Sequence, residues 1–304
     1  HICETKTPCR SGLKIDRAEE NPFSSPEGIQ RCQQVAGCLS WLAASARPGA
    51  SAACSLLSQL SSKPSQGHWD AAKHVLKYLK GTASHGIWLR QSENRLEGSA
   101  AIPGELRGLE MILFTGSSWG PQDAPKPKEN EARAAHMEEL KPIQGLYLTR
   151  MGGPILWGVQ REKRGSRSSC MAELKAADEG TKGIQYLRHL MKQLGLPGIG
   201  CPAPALNDNR GPIDWIESGC RPAKKLRHEN LAELGIAEAK HHGEVTFYWI
   251  QGKTSPAGIF TKQGNDTPHC CSLRDLMVMP REKLIDGYNV SKVAGSTEIE
   301  ESAL

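Results

Sequence analysis

Leu146-Tyr-Leu-Thr-Arg-Met-Gly-Gly-Pro-Ile-Leu-Trp157 sets two apolar runs on either side of Gly152-Gly153. Apolar strands meeting at a glycine pair signal a hairpin. Pro154 has no amide hydrogen to give to a ladder, which puts the second run at a sheet edge or at a first strand position. Toward the C-terminus a helix is expected from about Ser169, with Gly180, Ile184, Leu187, Met191 and Leu194 on one face and Gly195 closing it. Ala205-Leu-Asn-Asp-Asn209 reads as a short strand running into a turn, and Pro212 opens a short helix that ends near Gly219. Residues 226–241 form a charged helix. Val245-Thr-Phe-Tyr-Trp-Ile250 is a strand rich in aromatic and β-branched residues. From about Leu109 onward the order is strands, helix, strand, helix, strand, an α/β pattern with a mixed sheet.

Upstream, the strongest helix signal runs from Pro64-Ser65 to Gly81. Trp69, Ala72, Val75, Leu76 and Leu79 recur at spacings of three and four, and Gly81 is placed to supply the left-handed residue past the end. Lys73, Lys77 and Lys80 fall on the other positions and read as a solvated face or as phosphate contacts. Val35 to Ala43 and Ala50 to Leu60 are further apolar stretches, the second with Leu56, Leu57 and Leu60 at helical offsets. Between the halves, residues 120–142 mix Pro121, Pro125, Pro127 and Pro142 with charged residues, which reads as a loop insertion. The end of the chain turns acidic at Glu298, Glu300 and Glu301 and reads as a flexible tail, and no internal repeat is found.

The chain has 304 residues, enough for about two domains, and a formal charge of +5. No apolar run reaches the ~20 residues of a membrane span. The first residues, His1 to Arg10, contain no apolar core segment, so no secretory signal is read there. With no initiator Met, the chain is expected to begin inside a longer polypeptide or to be a processed or truncated product. Ten cysteines are scattered without a CxxC pair and read as free thiols of a reducing, intracellular compartment. His241-His242 and Cys270-Cys271 lack metal-ligand spacing, which leaves no basis for a zinc enzyme.

Phosphodiester hydrolysis by two metal ions needs several carboxylates gathered at one point, because the ions sit ~3.5–4 Å apart and stabilise both the attacking and the leaving oxygen. Magnesium takes hard oxygen ligands, hence Asp and Glu. Asp208 at a strand end and Glu173 in the first turn of a helix suit such a site. Each also has a plainer explanation: Glu is favoured near a helix start by the dipole, and Asn207-Asp208-Asn209 is good turn chemistry.

A set of motif blocks resembles copia-type LTR-retrotransposon Pol polyproteins. His68-Trp69-Asp-Ala-Ala-Lys-His-Val-Leu-Lys-Tyr-Leu-Lys-Gly-Thr82 looks like the family's "HW-AAKRVLRYLKGT" helix at the end of the reverse transcriptase, and Trp41-Leu-Ala, Arg47-Pro48 and Leu56-Leu57-Ser58 precede it in family order. Phe114-Thr-Gly-Ser-Ser-Trp-Gly-Pro-Gln-Asp123 is similar to "SDADWGPQD", Gly152-Gly-Pro-Ile-Leu-Trp157 to "GGPISW", and Arg167-Ser-Ser-Cys-Met-Ala-Glu-Leu174 to "RSSTEAEY". Leu206-Asn-Asp-Asn209 is similar to "YCDNQ", Leu226-Arg-His228 to the "KHI" element, and Gly252-Lys253 with Ala257-Gly-Ile-Phe-Thr-Lys262 to the "ADIFTK" block. The blocks cover roughly residues 5–278. The resemblance implies an RNase H-like fold, a mixed five-stranded sheet with flanking helices, over residues 101–278. It also implies a mainly helical reverse-transcriptase C-terminal segment over 1–100 and a tail over 279–304.

The resemblance further implies a magnesium- or manganese-dependent ribonuclease acting on RNA–DNA hybrids. Its helix-borne Glu matches Glu173 and the Asp after its fourth strand matches Asp208, while the first-strand Asp falls on Gly116 and the late Asp on Gly258. Two of four carboxylates are therefore missing, and Asp123 substitutes only if the first strand ends early. The Asp of the family's "RPD" is Gly49, and no "YVDD" polymerase motif occurs. His228 is implied to lie near the substrate cleft. The basic groups Arg161, Lys163, Arg164 and Arg167, and Arg221, Lys224, Lys225 and Arg227, read either as solvated charge or as contacts to the phosphates of a hybrid. The expected activity is absent or impaired hydrolysis, with a non-catalytic nucleic-acid-binding or interaction module, or a decayed element, as alternatives. Gly180 and Gly183 inside the central helix fit decay, since each glycine costs up to ~1 kcal/mol there relative to Ala. No membrane partner and no oligomeric state is implied.

Overall fold

The computed structural model describes residues 4–9, 23, 25–59, 61–87, 89, 111–118, 141–150, 152–163, 165–166, 168–196, 202–219, 230–261 and 267–280, with side chains from 235 onward in the helix that begins at 230. Two apolar layers sandwich a five-stranded sheet, and a helical segment caps one of them. The strands are β2 (Met111–Ser118), β3 (Ile143–Arg150), β4 (Gly153–Arg161), β5 (Ala203–Asn207) and β6 (Val245–Trp249), in the order β4-β3-β2-β5-β6. β2, β3 and β4 are antiparallel; β5 runs parallel to β2, with Thr115 opposite Asn207, and β6 runs parallel to β5, with Asn207 opposite Trp249.

The hairpin expected around Gly152-Gly153 is present. Gly152 has φ +78°, a conformation side chains disfavour. Pro154 lies on the edge strand β4, where the register slips beside Leu148 and Thr149.

β2 is buried on both faces, as a central strand should be. Met111 and Leu113 pack toward the helix α4 (Ser169–Gln193), together with α5 (Arg210–Glu217) and α6 (Asn230–His241). Ile112 and Phe114 pack toward α7 (Gly258–Thr261), α8 (Thr267–Asp275) and the short strand β7 (Val278–Pro280). α4 starts at Ser168, whose side chain accepts from the Met171 amide, and Gly195 at φ +65° closes it as expected. Leu194, expected on the buried face, is 63% exposed because the helix has by then run past the sheet. Gly180 is not a mark of decay. A Cβ there would stand 2.7 Å from Leu113 Cδ2 and from Thr115 Cγ2, so its absence lets α4 lie close on β2. Gly183 does the same against Leu156.

The N-terminal segment contains α1 (Pro26–Ser45), a single 3-10 turn at Pro48–Ala50, α2 (Ser51–Gln59), α3 (Gln66–Gly81) and β1 (His85–Ile87). Its own apolar cluster runs through Leu39, Ala53, Leu57, Ala72, Val75 and Tyr78. The buried face of α3 is His68, Ala71, Ala72, Val75 and Tyr78, rotated from the expected stripe; Leu76 is exposed and Trp69 only partly covered. The small Ala71 and Ala72 allow close approach to α2, and His68 Nε2 reaches the Leu57 carbonyl at 2.8 Å. Gly81 is the last helical residue rather than a left-handed cap; Thr82 ends the helix by donating its hydroxyl to the Tyr78 carbonyl. β1 pairs antiparallel with β7, and the Trp157 indole donates to the Ala43 carbonyl at 2.9 Å, so this segment is tied to the sheet at both places. Among the described residues no helix is long and apolar enough to cross a membrane.

Candidate functional site

Strand direction brings the C-terminal ends of β2, β4, β5 and β6 to one edge of the sheet. Along that edge stand Arg161, then Ser117 and Ser118, then Asn207 and Asp208, then Trp249. The chain leaves β2 for β3 on one side and returns to β5 on the other, so the middle of this edge is the point where an open sheet reverses its winding. Ligands of open α/β sheets sit at such places.

Glu173 reaches the middle of the edge from α4 and is 6% exposed. It lies in the second turn, five residues past the Ser168 cap, not in the first turn as expected. The helix dipole fades within the first turn and does not explain the acid there. Its Oε1 accepts from the Ser117 backbone amide at 2.9 Å, and its Oε2 accepts from Asn207 Nδ2 at 2.9 Å. Asn207 is 1% exposed and fully engaged. Its amide also donates to Thr115 Oγ1 at 3.1 Å, and its Oδ1 accepts from the Asn209 amide at 2.8 Å. Three elements, β2, α4 and β5, are thus laced by one buried polar network. Buried polar groups need partners, and here they have them.

Asp208 follows Asn207, so alternation sends its side chain the other way. Its carboxylate lies against Gly252, where a Cβ would meet Oδ2 at 2.6 Å. Gly116 lies between Thr115 and Ser117 and faces α7: a Cβ there would meet Ala257 Cβ at 3.5 Å and Thr261 Oγ1 at 4.0 Å. Gly258 opens α7, with Leu273 Cδ1 at 3.6 Å and the Gly252 carbonyl at 3.9 Å from an added Cβ. Gly116, Gly258 and Asp208 thus lie along one run of contacts through Ala257 and Gly252, whereas Glu173 meets Ser117 and Asn207, and both glycines have room for a side chain at ordinary contact distance. The described residues do not by themselves assemble the donor set of a two-metal centre. Among the described residues no three His, Cys, Asp or Glu side chains are grouped to hold an ion, and both oxygens of Glu173 are engaged by amides of the chain itself.

A second buried acid stands beside the edge. Glu162 follows β4 and is 7% exposed. It accepts Lys175 Nζ at 3.0 Å and the Ser166 hydroxyl at 3.0 and 2.8 Å, which clamps the loop before α4 onto the helix. Lys163 beside it is exposed, and Arg161 is half-buried at the end of β4. Arg164, Arg167, Arg221, Lys224, Lys225, Arg227, His228 and Asp123 lie outside the described residues.

Three groups at this edge went unsingled by motif: Asn207, Ser117, and the pair Arg210–Trp249. A buried Asn in a strand otherwise reading Ala203, Ala205 on the same face was the available signal for the first. Trp249 ends β6 at 43% exposure, with its Nε1 donating to the Asp208 carbonyl at 3.1 Å and the Arg210 guanidinium carbon 4.6 Å from its ring centroid.

No family model matches the chain. Among curated proteins it is 28% identical over 178 residues to a retrovirus-related Pol polyprotein from transposon RE2 of Arabidopsis thaliana, a match covering 58% of this chain and 10% of that one. It is 25% identical over 230 residues to the corresponding polyprotein from transposon TNT 1-94 of Nicotiana tabacum, covering 74% of this chain and 15% of that one. The chain thus spans between a tenth and a sixth of these relatives. The N-terminal RNase H domain of a Mycobacterium tuberculosis protein overlays with a TM-score of 0.34 at 12% identity, over 55% of this chain and 96% of that one. A foamy viral protease–reverse transcriptase gives 0.40 at 10%, over 75% and 33%. These overlays are loose, and the fold class stands on the strand order and register. The chain is similar over part of its length to retrovirus-related Pol polyproteins of plant transposons, and its mixed five-stranded sheet with flanking helices is RNase H-like in class.

Proposed function

We propose that this chain is a transposon-derived RNase H-like module that contacts nucleic acid but hydrolyses it poorly or not at all. The observation that carries this reading is the state of Glu173. Its carboxylate is buried and held by the Ser117 amide and the Asn207 side chain, while glycines 116 and 258 stand where the family places two further acids. Two carboxylates do not readily offset two divalent ions in close contact, and the oxygens that would face an ion are engaged by N–H groups. The fold and its ancestry support an ancestral magnesium- or manganese-dependent RNA–DNA hybrid ribonuclease, and the loss lies in the donor set rather than in the scaffold.

In the same reading residues 1–100 are the end of a reverse transcriptase and residues 101–278 are the RNase H-like unit. The partner is an RNA–DNA hybrid or another nucleic acid. Arg161 and Lys163 stand at the β4 corner of the edge, where positive charge would meet phosphates by shape and backbone rather than by sequence. Arg164, Arg167, Lys224, Lys225 and Arg227, outside the described residues, carry the same expectation from the sequence alone.

The test pairs binding with turnover. A fluorescent RNA–DNA hybrid titrated with the full chain should bind, and affinity should fall steeply with salt as counterions are released. The same hybrid incubated with magnesium or manganese should remain intact. Robust cleavage that disappears in Glu173→Gln overturns the inactive reading, and salt-independent or absent binding overturns the nucleic-acid reading.

A further inference from the structure

We infer that Trp249 and Arg210 form a stacking platform for an unpaired nucleobase at the β6 corner of the sheet edge; this rests on the nucleic-acid reading above and names the residues and the moiety involved. Val245 and Phe247, on the same face of β6 as Trp249, are 1% and 4% exposed, whereas Trp249 is 43% exposed. The ring is nevertheless fixed. Its Nε1 hydrogen is committed to the Asp208 carbonyl at 3.1 Å, and Arg210 lies over its face at 4.6 Å. An indole held in orientation by a rim hydrogen bond and a cation, and still 43% exposed, is built to receive a flat partner and not merely to fill a core.

The chemistry of the pair selects that partner. Bases stack on aromatic rings and on guanidinium planes, so both members of the pair address the base itself. Arg210 is exposed at the start of α5, directly after Asn209, whose side chain caps that helix by accepting from the Gly211 amide at 3.0 Å. The cap fixes where the Arg210 side chain departs. Position agrees with chemistry. β4 and β6 are the two edge strands, four strand spacings or about 19 Å apart, which is about five to six nucleotides of a duplex strand. A strand whose phosphates meet Arg161 and Lys163 at one corner can therefore set a base on Trp249 at the other. Paired bases hide their faces, so the platform takes a base at a frayed end or in a single-stranded overhang.

The experiment uses the full chain and an RNA–DNA hybrid carrying a short uridine overhang, alongside the same hybrid with abasic sites in the overhang. Trp249→Ala should weaken binding to the uridine overhang by about 5- to 100-fold, and Trp249→Phe should restore most of it. Arg210→Ala, at an exposed position, carries the same test should Trp249→Ala fail to fold. On the abasic overhang wild type and both alanine variants should bind alike. Equal affinity of wild type and Arg210→Ala for the uridine overhang overturns the platform and leaves the nucleic-acid reading intact. A loss that persists on the abasic overhang assigns the pair to phosphate contact and also overturns it. No binding of wild type to either hybrid overturns both readings together.

Discussion

Two glutamates eleven residues apart are buried to the same degree, and the molecule treats them differently. Glu162 is held by an ammonium and a hydroxyl, so its charge is met by charge and its role is to clamp a loop to α4. Glu173 is held by a backbone amide and the amide of Asn207, donors that orient a carboxylate without a formal counter-charge. The first arrangement needs nothing more. The second ties β2, α4 and β5 together through uncharged donors.

The comparison can be broken at either acid. Asn207→Leu should have the largest effect, a loss of about 3 kcal/mol in chemical denaturation, because it removes at once the buried amide that bonds Glu173 and Thr115. A loss below about 1 kcal/mol would show that the network does little to hold the three elements. Glu162→Gln should cost about 1–2 kcal/mol, less than Asn207→Leu because Lys175 retains access to water at 26% exposure.

Two glycine substitutions sharpen the contrast between the sheet domain and the N-terminal helices. Gly180→Ala should destabilise by about 1–2 kcal/mol through overpacking against Leu113 and Thr115. Gly37→Ala, in α1 with open space around it, should stabilise by about 0.5–1 kcal/mol. Thermal melts of both variants decide the sign.

A separate effect is a pH dependence. Burial pushes the thiols of Cys9 and Cys54 up to about 12 and that of Cys270 up to about 11, from an ordinary 9.0. The unfolded chain then loses these protons before the folded one, so stability should decline as pH rises from about 9 toward 12. The decline should shrink in Cys54→Ala.

Local patterns carried much of the fold. The Gly152-Gly153 hairpin, the Ser168-capped helix and the strand ending at Asn207 were legible because turn chemistry, capping and periodicity act within a few residues. The face of α3 was misread because the large Trp69 and Leu76 drew attention from Ala71 and His68, and only the proximity of α2 reveals that the small residues face inward. Gly180 looked like damage because the methyl groups that exclude a Cβ come from β2, far away in sequence. The candidate site was half legible. Glu173, Asp208, Gly116 and Gly258 came from motif resemblance; Gly116, Gly258 and Asp208 connect through Ala257 and Gly252, and Glu173 bonds Ser117 and Asn207 instead. Asn207 did not stand out, because its meaning depends on Thr115 and Glu173, each from a distant segment. Trp249 read as one more aromatic strand residue, since exposure at a strand end is set by what the neighbouring elements leave uncovered.

The claim that the donor set, and not the scaffold, is deficient is most directly tested by manganese titration of the wild type and of the double variant Gly116→Asp with Gly258→Asp, read by electron paramagnetic resonance. Contact distances of 3.5 and 3.6 Å from the added Cβ atoms leave both aspartates room. Wild type should leave the free-manganese signal nearly unchanged at stoichiometric protein, while the double variant should take up the ion and gain cleavage of an RNA–DNA hybrid. Tight uptake of two ions by the wild type, lost in Glu173→Gln, would contradict the account.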